Sequence, residues 1–124
     1  MRVFVTKPFA RFAGQEGLAD RQLREVARRV VDGLVDADLG GGVIKQRIAR
    51  QGQGKSGGFR SVVLYRKGDT LFFVYGFAKK ARTNIRKDEL QAFRLLADQM
   101  LAMDDTALKA AMANGTIAEI LDED

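Results

Sequence analysis

Apolar and polar positions repeat with two different periods along this chain. The opening run RVFV at 2–5 is β-branched and aromatic and predicts a short strand. Thr6 is placed to cap a first helix, with Pro8 in its opening turn and Phe9 and Phe12 on one face. Asp20 reads as the cap of a second helix. In it Leu23, Val26, Ala27, Val30, Val31 and Leu34 recur at helical spacing, while Arg21, Arg24 and Arg28 fall on another face. The glycines of LGGG at 39–42 close this helical unit. The period then shortens to two: Val43–Arg50 predicts a strand with Ile44 and Ile48 on one side and Lys45 and Arg47 on the other.

After the glycine-rich stretch GQGKSGG at 52–58 come the runs FRSVVLYR and TLFFVYGF, separated by the turn KGD at 67–69. Two such runs around a glycine turn predict a β-hairpin, and because both are apolar on both faces they belong at the centre of a sheet. From about Arg86 to Met103, Leu90, Phe93, Leu96, Met100 and Leu101 keep helical spacing, so a helix there packs on the sheet. The tail from Thr106 predicts one more short helix, ended by Asn114-Gly115. No repeat or linker divides the chain. The expectation is one α+β domain over 1–124, with 104–124 as a helical, acidic extension. Its small twisted, mainly antiparallel sheet has a short N-terminal strand, two helices, a three-strand meander and a C-terminal helix, the helices lying on one face.

Composition narrows the chemistry. The chain has 124 residues, 46% apolar and 30% charged, which suits a globular domain able to bury a core. It has no cysteine and no histidine, so a thiolate nucleophile, a disulfide, a Cys-based zinc site and the commonest acid/base group are all excluded. Carboxylates do not cluster at ligand spacing, and no metal or cofactor is implied. No apolar run approaches the roughly 18 residues of a membrane span, and the N-terminus lacks a signal-peptide pattern; the expectation is a cytoplasmic protein with no membrane partner. Charge is distributed unevenly. Residues 1–87 hold 19 Lys and Arg against 7 Asp and Glu, a net +12, whereas 88–124 hold 2 against 9, a net −7. The first part has the character of a polyanion binder.

GKS at 54–56 invites a nucleotide-loop reading, which fails. The motif G-x-x-x-x-G-K-[ST] requires glycine five before Gly54, where Ala49 stands, and it must open a helix rather than the strand that follows here. A different use of phosphate follows from the hairpin. If the turn centres on Gly68-Asp69, Arg60 lies opposite Phe77, and the segment before Arg60 meets the segment after Phe77. The basic stretches GKSGGFR and AKKAR then converge at one end of one hairpin. Lys55, Arg60, Lys79, Lys80 and Arg82 would form a cation cluster fit for a phosphodiester backbone.

The pattern GQGKSGGFR running into a strand, followed by YGFAKKARTNI, resembles the RelE/HigB family of type II toxins within the RelE/ParE superfamily, closest to the HigB-like branch. The likeness covers roughly residues 2–101 and is most specific at 54–60 and 75–85. It implies a RelE-like fold and an mRNA interferase: a ribosome-dependent endoribonuclease that inhibits translation and is neutralised by a cognate antitoxin, of helix-turn-helix type. It further implies Lys55, Arg60, Lys80 and Arg82 as catalytic residues, Arg60 holding the scissile phosphate. Around them Lys45, Arg47, Arg50, Lys79, Arg86 and Tyr75 would contact RNA. The chain departs from better-studied members at Gln51 and Gln53, where they carry lysines, and at Arg86, where they carry tyrosine.

A metal-independent reaction would proceed by attack of the ribose 2′-OH on the adjacent phosphate. Crowded like charges disfavour one another, which is how a lysine becomes a base near neutral pH; Lys55 and Lys80 are the candidates. Other classes stay open: a ParE-like gyrase inhibitor on the same fold, a non-catalytic nucleic-acid-binding regulator, and a protein whose basic face meets only an acidic protein partner.

Overall fold

The strands that read as apolar on both faces carry a helical layer on each side. The computed structural model describes residues 1–49, 58–68 and 70–121. In chain order its elements are β1 (Val3–Thr6), α1 (Lys7–Glu16), α2 (Asp20–Val31), β2 (Ala37–Gly40), β3 (Val43–Ile48), β4 (Phe59–Leu64), β5 (Leu71–Ala78), α3 (Lys87–Met100), α4 (Asp105–Ala113) and β6 (Ile117–Ile120). Among the described residues the strands form one six-stranded sheet in the order β2-β3-β4-β5-β1-β6. β1 runs parallel to β5, and every other neighbouring pair whose register is defined is antiparallel. The α+β class and the mainly antiparallel sheet are those expected from the sequence.

The helices, however, are not confined to one face. One core joins Phe9 and Ala13 of α1 and Leu23, Val26, Ala27 and Val30 of α2 to Val3, Val5, Ile44, Ile48, Phe59, Val63, Leu71 and Phe73. A second joins Ala97 and Met100 of α3 and Leu108 and Ala111 of α4 to Phe4, Val43, Val62, Leu64, Phe72 and Val74. Alternate residues of β1, β4 and β5 thus enter opposite cores, which is why these strands read as continuous apolar runs, whereas β3 turns Lys45 and Arg47 to the α3/α4 side.

Local signals act where the sequence placed them, with three differences. Thr6 caps α1, its hydroxyl accepting the Phe9 N–H at 3.4 Å, and α1 ends in a left-handed Gly17. Asp20 is the first residue of α2 rather than its cap; Ala19 is the cap, and its N–H is taken by the Gln22 side chain at 2.9 Å. The glycines at 40–42 do not terminate a helix. All three have positive φ (83°, 66° and 84°) and turn β2 back onto β3, a conformation open to glycine. The tail forms α4 as expected, but 117–120 then add β6 to the free edge of β1. Neither unforeseen strand, ADLG or IAEI, has the unbroken β-branched and aromatic run that marks β1.

Gly76 in β5 faces α1. A Cβ there would lie 2.4 Å from ring atoms of Phe12, whose ring sits edge-on to Phe59 at 5.7 Å and beside Phe9 at 5.8 Å. Phe12 is half-buried and flanked by Phe9 and Phe59, so a methyl at 76 would force its ring to shift, and such overpacking is costly. Gly76→Ala is expected to destabilise the fold by about 1–3 kcal/mol, read as a lowered urea midpoint at unchanged slope; an unchanged midpoint would show that the Phe12 ring shifts without cost.

Candidate functional site

An extra residue in β5 aims the site. Near the turn Leu64 pairs with Phe72 and Val63 with Phe73; beyond it Val62 pairs with Tyr75, Ser61 with Gly76 and Arg60 with Phe77. The shift is a β-bulge at Val74. Val74 and Tyr75 both pack on the α3/α4 side, so every later side chain of β5 changes face. Without the bulge Arg60 would oppose Gly76, and Phe77 would turn toward α1. With it, the expected opposition of Arg60 and Phe77 is the observed register.

At that end of the hairpin the Lys79 N–H reaches the Gly58 carbonyl at 3.3 Å, so the chain entering β4 and the chain leaving β5 are bonded together. Lys79 and Lys80 are exposed in the turn after β5. On the α3/α4 side of the sheet Lys45 and Arg47 of β3 lie in line with Arg60, Arg47 being its direct cross-strand partner. Lys55 and Arg50, with Gln51 and Gln53, lie outside the described residues.

Arg82 is engaged. Its guanidinium donates to both carboxylate oxygens of Glu89, at 2.5 and 3.0 Å, and to the Tyr75 hydroxyl at 3.0 Å, while its Nε donates to the Asn84 carbonyl at 2.9 Å. The guanidinium carbon also lies 5.4 Å from the Phe77 ring centre and 5.8 Å from that of Tyr75. These bonds, led by the one to Glu89, raise its pKa further. Glu89 in turn accepts the Arg86 N–H at 2.7 Å and so caps the first turn of α3. Hydrogen bonding, first from Arg82 and then from the Arg86 main chain, lowers the Glu89 carboxyl from 4.5 to about 2. The Asn84 side chain accepts from Lys45 Nζ at 3.1 Å and from the Ile85 N–H at 2.9 Å. The segment 79–86 is therefore pinned to β3, β5 and α3 together. Arg86 is exposed and paired with Asp88 at 3.1 Å.

Arg60 differs from these. It is half-buried and forms no ion pair among the described residues; it donates one long hydrogen bond, 3.5 Å, to the Phe59 carbonyl. It opens into a recess of about 180 Å³ lined also by Arg29, Asp36, Arg47, Ile48, Ala49 and Gly58. Asp36 accepts the Arg47 N–H at 2.7 Å and its guanidinium at 3.2 Å. Burial works to raise the Asp36 carboxyl, but the two Arg47 donors, helped by the charge of Arg29, outweigh it and hold the group below the usual carboxylate range. Arg29 and Asp36 carry no sequence signal as site residues: Arg29 sits among other arginines on the polar side of α2, and Asp36 in a connection.

Part of the charge asymmetry of the sequence is cancelled in space. Arg2 pairs with Glu119 at 2.8 Å and Asp105 at 3.7 Å, Arg66 with Asp98 at 2.7 Å, Arg82 with Glu89 and Arg86 with Asp88. The acidic last third neutralises arginines of the basic part and leaves the recess to Arg29, Arg47 and Arg60. Among the described residues no three His, Cys, Asp or Glu are grouped to hold a metal ion, and no helix is long and apolar enough to cross a membrane.

The model of the RelE toxin of the RelE/RelB toxin-antitoxin system matches residues 1–120. The chain belongs to the RelE toxin family. It is thus a type II toxin by family, with the RelE-like fold, and membership implies a cognate antitoxin. The match extends through β6, so α4 and β6 of this toxin fall within the family's span. No curated protein matches the chain.

The Glu89 clamp has a defined pH signature. Its folded pKa is below its ordinary value, so its stabilising effect is complete above about pH 4.5 and is lost as pH falls from there toward 2. Glu89→Gln is expected to be less stable than the parent at pH 7, with the gap closing between pH 4.5 and 2 in urea titrations. A gap that stays constant with pH would show that the carboxylate charge does not hold the loop.

Proposed function

We propose that this toxin is a metal-independent endoribonuclease that cuts mRNA on the ribosome, by attack of the ribose 2′-OH on the adjacent phosphate. Members of the family are generally endoribonucleases. The observation that carries the reading is Arg60: half-buried, without an ion pair among the described residues, and opening into an arginine-lined recess. A guanidinium so placed is available to the developing charge on a phosphorane, and fixed donors of this kind supply a large share of rate enhancement. The glycine loop and YGFAKKARTNI align the chain, on this reading, with the HigB-like branch.

Roles divide as follows. Arg60 holds the scissile phosphate. Lys80, exposed in the turn after β5, or Lys55 takes the 2′-OH proton. Lys45, Arg47, Arg50, Lys79, Arg86 and Tyr75 line the path of the RNA. Arg82 contributes by fixing the 79–86 segment, because Glu89 and Tyr75 already take up its donors. Ribosomal RNA completes the geometry, and an antitoxin of helix-turn-helix type silences the protein in the cytoplasm.

The test is induced expression with mapping of transcript 5′ ends. Wild type is expected to arrest growth and to yield new breaks within translated frames. Arg60→Ala is expected to abolish arrest and to lower cleavage on programmed ribosomes by about 10²-fold or more, while the protein stays folded. Arrest without new in-frame breaks defeats the interferase reading and favours a ParE-like or purely binding role.

A further inference from the structure

The recess beside Arg60, about 180 Å³ in volume, is more cationic than one backbone phosphate requires. Among the described residues three arginines reach it from three separate elements, Arg29 from α2, Arg47 from β3 and Arg60 from β4, against one carboxylate, Asp36. The net charge of these described lining residues, +2, matches two phosphodiester monoanions. The recess also has a built frame. β2 pairs with β3 only as far as Lys45, so the edge of β3 beyond it is taken by the connection from α2 instead. There the buried Gln46 side chain accepts the Asp36 N–H at 2.9 Å and donates to the Leu34 carbonyl at 2.9 Å. Asp36, thus fixed, holds the Arg47 main chain and guanidinium. Arg29, exposed on α2, forms no ion pair among the described residues.

We propose that the recess is a two-phosphate clamp: Arg60 takes one backbone phosphate of a single strand, and Arg29 with Arg47 takes the next. This rests on the reading of the site as an RNA site. Arg29 binds; it takes no part in bond breaking. Asp36 serves as the internal counter-ion that keeps Arg47 in place and offsets the repulsion among the three guanidinium groups.

The test uses the full chain and 2′-O-methyl oligouridines, which lack the attacking hydroxyl and so report binding independently of cleavage. A dinucleotide carries one phosphodiester and a trinucleotide two. By calorimetry or NMR titration, Arg29→Ala is expected to weaken trinucleotide binding about tenfold, the worth of one charge-assisted contact, and to leave the dinucleotide unchanged. The slope of log K against log salt for the trinucleotide is expected to shrink by about 0.7, the single-strand value for one phosphate. Arg29→Lys, which keeps the charge, is expected to recover most of the difference. An Arg29→Ala protein that loses equally on both ligands, or on neither, overturns the clamp. So does a uridine 3′-monophosphate that binds as tightly as the trinucleotide and is equally sensitive to Arg29, for it would mark a single dianion site. Failure of mRNA cleavage with this pattern intact would count against the enzyme reading and not against the clamp.

Discussion

One inserted residue governs the geometry of the site. The bulge at Val74 changes the phase of β5, so that Tyr75 and Phe77 turn to the α3/α4 side and Gly76 turns to α1. Two consequences depend on it. Tyr75 and Phe77 become the aromatic surface against which Arg82 lies, and Gly76 becomes the gap into which Phe12 fits. A side chain at 76 would take the place of the Phe12 ring, and a regular β5 would turn Tyr75 and Phe77 away from Arg82. The bulge is thus held from both faces of the sheet, by Phe12 on one and by the Arg82–Glu89 pair on the other. Bulges commonly re-aim side chains next to functional sites, and this one does so through core packing.

The second theme is how the arginines are divided. Those that join the ends of the chain or brace α3 are matched to acidic residues of the last third: Arg2, Arg66, Arg82 and Arg86. Exposed pairs of this kind contribute little stability each. Their main effect is to decide where positive potential remains. Arg60 and Arg29 are left without ion pairs among the described residues, and Arg47 shares Asp36. Positive charge therefore remains at the recess, where Arg29, Arg47 and Arg60 face one carboxylate among the described residues.

Much of the architecture is legible in the sequence because it follows from local rules. The Thr6 cap with Pro8, the helical spacing of Leu23 to Val30, and the alternation of Ile44 and Ile48 against Lys45 and Arg47 all reappear in the fold. The opposition of Arg60 and Phe77 is legible too, although the turn alone does not produce it: counted back from the pairs nearest the turn, Arg60 would face Gly76, and the bulge makes up the one-residue difference. β2 (ADLG) and β6 (IAEI) are not legible, since neither has the unbroken β-branched and aromatic run that marks β1, and each pairs along the open edge of a neighbouring strand.

By itself, then, the sequence determined the α+β class, the central hairpin, the opposition of Arg60 and Phe77 at its open end, and the resemblance to the RelE family. These are matters of period, turn chemistry and composition, which act over a few residues. Tertiary structure alone decided that helices cover both faces, that Arg82 is occupied by Glu89, and that Arg29 and Asp36 share a recess with Arg60. The reason is physical. The partner of a charge is set by distance in space, and Arg82 and Glu89, or Arg29 and Arg60, are brought together by how helices pack on the sheet, which no local pattern of residues encodes.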